Sequence, residues 1–349
     1  MNDQIPANAP DTSALPGRLL QMVSAAWNTQ TLFVAAKLGI ADLLAARPMS
    51  NEELAQATGA HVRSLARLMR ALVSLEICAI GPDGKYQLTA LGGYLRRDVR
   101  DSVRGMALHW GGQLWEAWGH LLDCVMTGKN ARGSEDPSAI FASFMGDPEQ
   151  AAIFNRAMVN ITEAVAEAVV RIYDFTGMTR VVDVGGGYGA MLAAVLRAYP
   201  SMRAVLFDLP QVIPGARRYL DDGGVLARCE LIEGSFFDQV PGAADACLLK
   251  SIIHDWPDDR SVEILRNCAA AVNSAHGKIL LVEHVMPERI DSSPAHRGAI
   301  RGDLNMMVAT GGGERTAEEF KALFARAGLR LGRIVPTDSG YCVIEAVGA

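Results

Sequence analysis

A glycine-rich stretch near the middle of this 349-residue chain has residue types suited to binding a ligand. Residues 180–190 read RVVDVGGGYGA, in which β-branched valines predict a buried strand and the glycines a tight turn. Apolar residues then recur at helical spacing, so the turn is expected to lead into a helix. Glycines leave backbone N–H groups bare beside a ligand, and the helix start adds partial positive charge. The stretch therefore predicts a cofactor loop.

This loop fits two cofactor signatures, and a plain structural turn is the third alternative. Gly185-x-Gly187-x-x-Ala190 matches the dinucleotide form of the glycine loop. Asp183-x-Gly185-x-Gly187-x-Gly189 matches the loop of S-adenosylmethionine (SAM) methyltransferases. The glycines alone do not separate the three alternatives, so the residues at neighbouring strand ends have to do so.

Polar and aromatic side chains stand at the ends of the next predicted strands. Asp208 ends the second strand and could accept hydrogen bonds from two ribose hydroxyls. Ser235 and Phe236 follow the third strand and offer a hydroxyl and a flat face for an adenine. Lys250 lies in the apolar fourth strand, where a charge is costly unless it reaches a partner or water. Ligands bind beyond the carboxyl ends of parallel strands, so these residues are candidate cofactor contacts, with a loop cap or core packing as the alternative.

The segment LLKSIIHDWPDD places His254 and then Asp255 directly beyond the fourth strand. Glu283 ends the fifth strand, and Glu314 lies further along in GGGERT. Acids beside a histidine would fix its tautomer and stabilise the imidazolium. The residue types predict a histidine base supported by carboxylates, provided that loops distant in the sequence meet; a structural histidine is the alternative.

These residues need a parallel sheet to bring them to one edge. From residue 180 onward, apolar runs alternate with helical patterns, which predicts a mostly parallel sheet covered on both faces. The predicted strands are residues 180–184, 204–208, 229–233, 246–251, 279–284, 330–335 and 341–347. The last two are joined by a short turn and are expected to form a hairpin, which is typical of methyltransferase sheets and less so of dinucleotide sheets.

Before the sheet, the N-terminal part of the chain has a helix, helix, hairpin pattern. Ser50-x-x-Glu53 is a capping box, a second helix is expected over 61–76, and a hairpin over 77–88. The order is typical of a winged helix and raises DNA binding as an alternative. Basic residues only slightly outnumber acidic ones here, and phosphate contacts dominate DNA affinity, so a scaffold or dimer-forming module is favoured.

Composition narrows the class of protein. A net charge of −6 argues against a general nucleic-acid or membrane binder. Six cysteines without a C-x-x-C pair fit a reducing compartment better than a disulfide framework or a zinc site. Without a signal-peptide pattern or an apolar run long enough to span a bilayer, a soluble cytoplasmic protein is expected. The expected division is a disordered tail (1–17), a winged-helix-like dimerisation domain (18–104), linking helices that line the substrate pocket (105–173) and a SAM-binding catalytic domain (174–349).

Taken in order, VDVGGGYGA, FDLPQVI, GSFF, LLKSIIHDWPDD and GGGERT resemble the SAM-dependent O-methyltransferases of the caffeate and acetylserotonin type, a family that includes bacterial antibiotic-tailoring enzymes. The resemblance runs from residue 19 to the C-terminus. It implies an α/β fold, with a C-terminal Rossmann-like seven-stranded methyltransferase domain and an N-terminal all-helical winged-helix dimerisation domain. It also implies a homodimer, SAM as cofactor and a hydroxylated aromatic small molecule as substrate, with no nucleic-acid or membrane partner.

The resemblance assigns cofactor contacts residue by residue. Gly185 matches the glycine beside the methionine part of SAM, and Asp208 matches the ribose ligand. Ser235 and Phe236 match residues that flank the adenine, although plant members often have an acid where Ser235 stands, which puts that contact in doubt. Lys250 matches another cofactor contact.

The resemblance also assigns the catalytic residues. His254 matches the general base, Glu283 and Glu314 match the acids beside it, and Asp255 completes the family's histidine–aspartate pair. No metal is implied, and the sequence has no cluster like that of the metal-dependent O-methyltransferases. A phenol has a pKa of about 10, so a histidine titrating near neutral pH is expected to serve as base during in-line methyl transfer.

Few residues in the sequence indicate where the methyl acceptor binds. Asn305 matches a substrate-facing asparagine of the acetylserotonin enzymes. Met158, Trp110 and Phe141 suggest a flat apolar acceptor, with ordinary core packing as the alternative. N- or C-methylation on the same fold remains open, as does an NAD-dependent oxidoreductase.

Overall fold

The computed structural model forms two compact units, which divide between Gly112 and Gln113. It describes residues 15–99, 101–134, 137–138, 146–272 and 277–348. Most of the tail expected over 1–17 lies outside these residues. Its last part, Leu15–Gly17, already belongs to the first helix, so the expected helix start at residue 18 was too late.

The N-terminal unit is a set of helices with one small hairpin. Its elements are α1 (Leu15–Ser24), α2 (Ala26–Leu38), α3 (Ile40–Ala46), α4 (Asn51–Thr58), α5 (Val62–Ser74), β1 (Cys78–Ile80), β2 (Tyr86–Leu88), α6 (Ala90–Gly93) and α7 (Arg104–Gly111). The Ser50 hydroxyl accepts the N–H of Glu53, and the Glu53 carboxylate accepts the N–H of Ser50, so the predicted capping box is present. β1 and β2 pair antiparallel, so the unit is not all-helical: the hairpin expected over 77–88 interrupts the helices.

Helix α1 contributes an exposed apolar face to this unit. None of its residues is buried, and Leu19, Leu20 and Val23 expose 63%, 66% and 70% of their surface. Apolar surface of this kind usually marks a site of interaction. Among the described residues no single helix is long and apolar enough to cross a membrane, although the bent pair formed by 15–38 and 40–46 passes on length and composition.

The C-terminal unit alternates strands and helices as the sequence predicts. Its elements are α8 (Gln113–Trp118), α9 (Leu121–Thr127), α10 (Pro148–Ile172), β3 (Arg180–Val184), α11 (Ala190–Ala198), β4 (Arg203–Asp208), α12 (Ile213–Asp222), β5 (Cys229–Glu233), β6 (Ala246–Lys250), α13 (Asp258–Ala271), β7 (Lys278–Glu283), β8 (Val285–Met286), α14 (Pro294–Ala309), β9 (Arg315–Thr316), α15 (Ala317–Arg326), β10 (Leu329–Pro336) and β11 (Cys342–Gly348). Each of the seven predicted strands is present, with ends within one residue of the expected bounds.

In the described part of this unit, seven strands form one sheet in the order β5-β4-β3-β6-β7-β11-β10. β5, β4, β3, β6 and β7 are parallel, whereas β11 runs antiparallel to both β7 and β10. The antiparallel hairpin expected at the C-terminal end is therefore confirmed. One face packs against α13 and α15, and the other against α10, α11 and α12. The parallel strands place the carboxyl ends of β3, β4, β6 and β7 at one edge.

Candidate active site

The glycine loop after β3 takes a backbone shape that larger residues rarely adopt. Gly185, Gly187 and Gly189 have φ angles of +67°, +59° and +86°. A Cβ at Gly185 would lie 2.6 Å from Cδ1 of Ile252, whose side chain would have to shift, and the positive φ angle itself disfavours a larger residue. The N–H of Gly187 donates to Oδ2 of Asp208 at 2.7 Å, which ties the loop to the end of β4.

Two carboxylates lie beneath this loop: Asp183 is buried and Asp208 is half-buried. Asp183 is 1% exposed, and its Oδ2 has no hydrogen-bond partner among the described residues. Burial and the nearby charge of Asp208 raise the pKa of Asp183 to about 7. Burial also raises the pKa of Asp208 to about 6, although the N–H groups of Leu209 and Gly187 lower it. A nearby cation would stabilise the ionised form of both carboxylates.

This charge distribution fits SAM better than a dinucleotide. The sulfonium of SAM would bring positive charge close to Asp183 and Asp208. The diphosphate of NAD would instead add negative charge to it, at a cost in free energy. The two carboxylates and the glycine loop therefore fit the cofactor that the sequence predicted.

Phe236 and Ser235 stand beside the loop, beyond β5. The Phe236 ring lies edge-to-face on Trp256 with centroids 5.8 Å apart, and its Cε1 would be 3.5 Å from a Cβ at Gly185. The ring is thus held next to the glycine loop, where an adenine could stack. The Ser235 hydroxyl accepts the N–H of Phe237 at 3.2 Å, so it also shapes this turn.

Lys250 ends β6 between the glycine loop and the histidine. Its Nζ lies 5.2 Å from the centre of the Tyr341 ring. Burial lowers the pKa of Lys250 to about 8, while the charges of Glu283, Asp255 and other carboxylates raise it. The positive charge of this half-buried ammonium offsets part of the negative charge of the nearby carboxylates.

His254 lies on a short 3₁₀ turn directly after β6, and the structure brings the two predicted glutamates to it. Its Nδ1 is 2.9 Å from Oε1 of Glu314 and 3.3 Å from Oε2 of Glu283. Oδ1 of Asp255 lies 3.9 Å from Nε2 on the other side of the ring. The side chain of His254 remains 11% exposed. Because Nδ1 is engaged by both glutamates, Nε2 is the nitrogen that can exchange a proton with a ligand.

The surrounding charges change the basicity of His254. Burial alone would lower its pKa, but the charge of Glu283 and the hydrogen bond to Glu314 outweigh burial and raise the pKa to about 10. The sequence suggested a histidine titrating near neutral pH, whereas in the folded chain two buried carboxylates stabilise the imidazolium and shift the pKa upward. Burial likewise raises the pKa of Asp255 to about 7.

The same cluster could be considered as a metal site. His254, Glu283 and Glu314 each offer one donor atom, and these atoms lie within 4.8 Å of one another. The contact of 2.9 Å between Nδ1 and Glu314, however, has the length of a hydrogen bond through a shared proton. That a metal is not needed here stays a prediction from the sequence.

Glu283 also fixes the backbone of the turn. Its Oε1 accepts the N–H groups of Ile252 and Ile253, both at 2.9 Å. One carboxylate therefore holds both the start of the turn and the ring that the turn carries.

Arg315, which no sequence pattern singled out, holds the carbonyl side of the same turn. Its guanidinium donates to the carbonyl oxygens of Ile253 at 3.0 Å and Trp256 at 2.9 Å, and pairs with Asp258 at 2.9 Å. Arg315 is buried, and its rigid fork of donors suits such a multiple contact. Its position inside the motif GGGERT could have marked it as a structural residue, but a basic residue between polar neighbours is usually taken to be exposed to solvent.

Two further glycines, also missed, allow the close approach of neighbouring segments. A Cβ at Gly312 would lie 2.0 Å from the carbonyl oxygen of His254. A Cβ at Gly302, on α14, would lie 2.9 Å from Oε1 of Glu314. The N–H of Gly313 donates to the carbonyl of His254 at 2.9 Å. The glycine run therefore packs backbone against backbone at the turn that carries His254.

The predicted substrate residues are divided between the two units. Asn305 lies on α14, where its Oδ1 accepts the indole N–H of Trp118 at 3.0 Å. Met158 is half-buried on α10. Trp110 belongs to the N-terminal unit and is 51% exposed, so simple core packing does not explain it there. Phe141 lies outside the described residues.

Comparison with known proteins identifies both parts of the chain. Residues 118–330 match the family model of the O-methyltransferase domain, and residues 20–98 match that of the O-methyltransferase dimerisation domain. A phenazine O-methyltransferase of Lysobacter antibioticus is 43% identical over 328 residues, which cover 94% of this chain and 95% of that protein. A phenazine-1-carboxylate N-methyltransferase of Pseudomonas aeruginosa is 32% identical over 95% of this chain and 97% of its own.

Among solved structures, human N-acetylserotonin methyltransferase in complex with SAM superposes with a TM-score of 0.87 at 26% identity, covering 98% of this chain and 100% of that one. The similarity thus extends over both domains, and the relatives include O- and N-methyltransferases. The chain belongs to the SAM-dependent O-methyltransferase family of the caffeate and acetylserotonin type, and is a SAM-dependent methyltransferase with a dimerisation domain.

Proposed function

We propose that this enzyme methylates a hydroxyl group of an aromatic small molecule, a secondary metabolite, with His254 as the general base. The observation that carries the proposal is the position of Nδ1 between Glu314 and Glu283, at 2.9 and 3.3 Å, which leaves Nε2 for the acceptor. A hydroxyl must lose a proton to become a strong nucleophile, and this arrangement supplies a base for it.

We assign the cofactor contacts to the residues around the glycine loop. The backbone at Gly185 faces the methionine part of SAM, Asp208 binds the ribose, and Ser235 and Phe236 border the adenine, with Lys250 as a further contact. When bound, SAM supplies a methyl group that is already activated by its sulfonium. The main task of the chain is then to align the acceptor, and alignment can contribute up to about 7–11 kcal/mol.

The proton of the acceptor passes to Nε2 of His254. Glu283 and Glu314 stabilise the imidazolium that forms, and Asp255 borders the ring on the Nε2 side. Because the two carboxylates raise the pKa of His254 towards that of a phenol, they favour proton transfer from the acceptor to the ring.

The acceptor is a flat aromatic molecule in this proposal. Met158, Met306 and Met307 are half-buried on α10 and α14, and methionine side chains adapt to planar ligands. Asn305 adds a polar contact on α14, and Trp110 stays a contact that the sequence predicts. The relative that acts on phenazine-1-carboxylate keeps N-methylation as the second candidate, but a ring nitrogen with a free lone pair needs no base.

Methyl transfer from labelled SAM to a panel of hydroxylated phenazines, polyketides, indoles and phenylpropanoids tests the function. We expect label on the oxygen of at least one class, and stabilisation against heat by S-adenosylhomocysteine but not by NAD. Label on nitrogen alone would replace O-methylation by the second candidate.

A change at Glu314 should move the pH profile of the reaction. The general base works in its neutral form, so the wild-type rate should rise with pH towards the His254 pKa of about 10. Glu314→Gln removes one negative charge and weakens the hydrogen bond that favours the imidazolium, so the pKa falls and the acidic limb moves to lower pH. Glu318→Gln, which changes an exposed glutamate on α15, is the control and should leave the limb in place. An unmoved limb in Glu314→Gln would contradict the role of this carboxylate.

We also propose that the enzyme is a homodimer and works in the cytoplasm. The exposed face of Leu19, Leu20 and Val23 on α1 supports the first, since Leu20 and Val23 lie within the segment that matches the dimerisation domain and Leu19 directly precedes it. All six cysteines are free thiols, which supports the second. Light scattering at micromolar concentration should give the mass of a dimer, and a monomer would contradict the proposal.

A further inference from the structure

The hydrogen bond between Trp118 and Asn305 fixes which way the Asn305 amide group is turned. Helix α8 packs against α14, and Nε1 of Trp118 lies 3.0 Å from Oδ1 of Asn305. An indole N–H is a donor and never an acceptor, so the atom of Asn305 that faces it has to be the carbonyl oxygen. An asparagine amide can otherwise turn over and exchange its oxygen and nitrogen; here the indole prevents the exchange.

The amide nitrogen of Asn305 is consequently the group left for a ligand. Among the described residues it makes no hydrogen bond, and the side chain is only half-buried. Its two N–H groups are donors, so this position can satisfy an oxygen or nitrogen acceptor but cannot accept a proton from the ligand.

Helical spacing places the Asn305 amide close to Glu314 and His254. Asn305 lies three residues beyond Gly302, and residues at this spacing share one face of a helix. A Cβ at Gly302 would lie 2.9 Å from Oε1 of Glu314, the same oxygen that contacts Nδ1 of His254 at 2.9 Å. Asn305 is therefore one helical turn away from the carboxylate that supports the base.

We propose that Trp118 is a positioning residue that holds the amide of Asn305 with its N–H groups towards the acceptor, and that the enzyme selects acceptors carrying a carbonyl, carboxylate or ring-nitrogen lone pair near the methylated hydroxyl. The inference rests on the proposed function and narrows its substrate class. A hydroxyarene without such a neighbouring group leaves the amide donors without a partner and should be a poorer substrate.

Trp118→Phe tests the proposal because it keeps an aromatic ring and removes the N–H. Two acceptors are compared, a hydroxyarene with a neighbouring carboxylate or carbonyl and the same compound with hydrogen at that position. In the variant, kcat/KM for the first should fall roughly 3- to 10-fold, mainly through KM, while the value for the second stays unchanged. The preference between the two compounds should shrink by the same factor.

Three further variants separate positioning from a general structural effect. Asn305→Ala should lose the same preference, and the double variant should lose no more than either single one. Trp115→Phe, on the same helix, should leave the preference intact. An equal loss for both acceptors in Trp118→Phe, or no loss for either, overturns the proposal.

Binding of the two compounds to protein loaded with S-adenosylhomocysteine gives a readout that does not depend on turnover. The same loss of preference is expected in dissociation constants. If the wild-type enzyme methylates no hydroxyl at all, the proposed function fails, and the binding preference then decides the role of Trp118 separately. Equal binding of both compounds to the wild-type protein would refute the selectivity.

Discussion

His254→Gln should retain SAM affinity and lose methyl transfer by about 10²–10⁴-fold, the usual contribution of a general base. Glutamine can still contact Glu314, which lies 2.9 Å from Nδ1 in the native protein, but its amide cannot take up a proton. The loss should therefore appear in kcat, measured as transfer of labelled methyl. Affinity for S-adenosylhomocysteine, measured by calorimetry, should stay within a few-fold, because the glycine loop and Asp208 are unchanged.

The residual rate of this variant is informative as well. Without His254, only acceptor molecules that have already ionised in solution can react, so the rate should follow the acceptor's own pKa. His120→Gln is the control, since His120 is exposed and contacts Asp123 rather than the site. Full turnover in His254→Gln would remove the general base from the mechanism and leave alignment alone to account for catalysis.

The sheet could be predicted closely because its signals are local. Each strand is a short apolar run bounded by polar or glycine residues, and the parallel pairing then brings Asp208, Lys250 and Glu283 to one edge. The hairpin after Pro336 was predictable for the same reason, since two apolar runs flank a short turn.

The interior of the site could be predicted only as residue types. Glu283 and Glu314 meet His254 from two separate loops, and no spacing in the sequence gives the contacts at 3.3 and 2.9 Å. Those contacts raise the pKa of the histidine. Because they cannot be read from the sequence, a near-neutral pKa was expected. Arg315 was missed because its buried position depends on carbonyl groups that face it only in the folded chain.

Local sequence patterns also did not predict the residue at which the two units divide. Helix α7 begins at Arg104 and groups with the N-terminal unit, whereas the linking helices were expected to begin at residue 105. The contacts that decide the grouping are tertiary: a Cβ at Gly111, for example, would meet Cβ of Phe33 on α2 at 2.2 Å. Helical periodicity shows that such a helix exists but not against which partner it packs.

Gly312→Ala should abolish most of the activity, although Gly312 is not one of the proposed ligand contacts. Its Cβ would lie 2.0 Å from the carbonyl oxygen of His254 and 2.6 Å from the carbonyl carbon of Asp255. Both are backbone atoms and cannot move aside as a flexible side chain would, so the turn itself has to shift. A displacement of about 1 Å at a catalytic group can cost roughly 10²-fold in rate, and we expect a loss of at least this size in kcat. Overpacking should also lower the free energy of unfolding by about 1–3 kcal/mol.

Gly313→Ala is the matched control for this prediction. Its Cβ would lie 3.1 Å from Oδ1 of Asp303, a side-chain atom that need shift by only a few tenths of an ångström and can keep accepting the N–H of Glu314, and the N–H that donates to His254 is kept. We expect a loss of less than about tenfold there. Thermal unfolding and affinity for S-adenosylhomocysteine distinguish a displaced turn from a misfolded protein, since the glycine loop after β3 should still bind. If Gly312→Ala is as active as the wild type, the turn does not need the close packing seen here, and the glycine run serves only as a flexible connection.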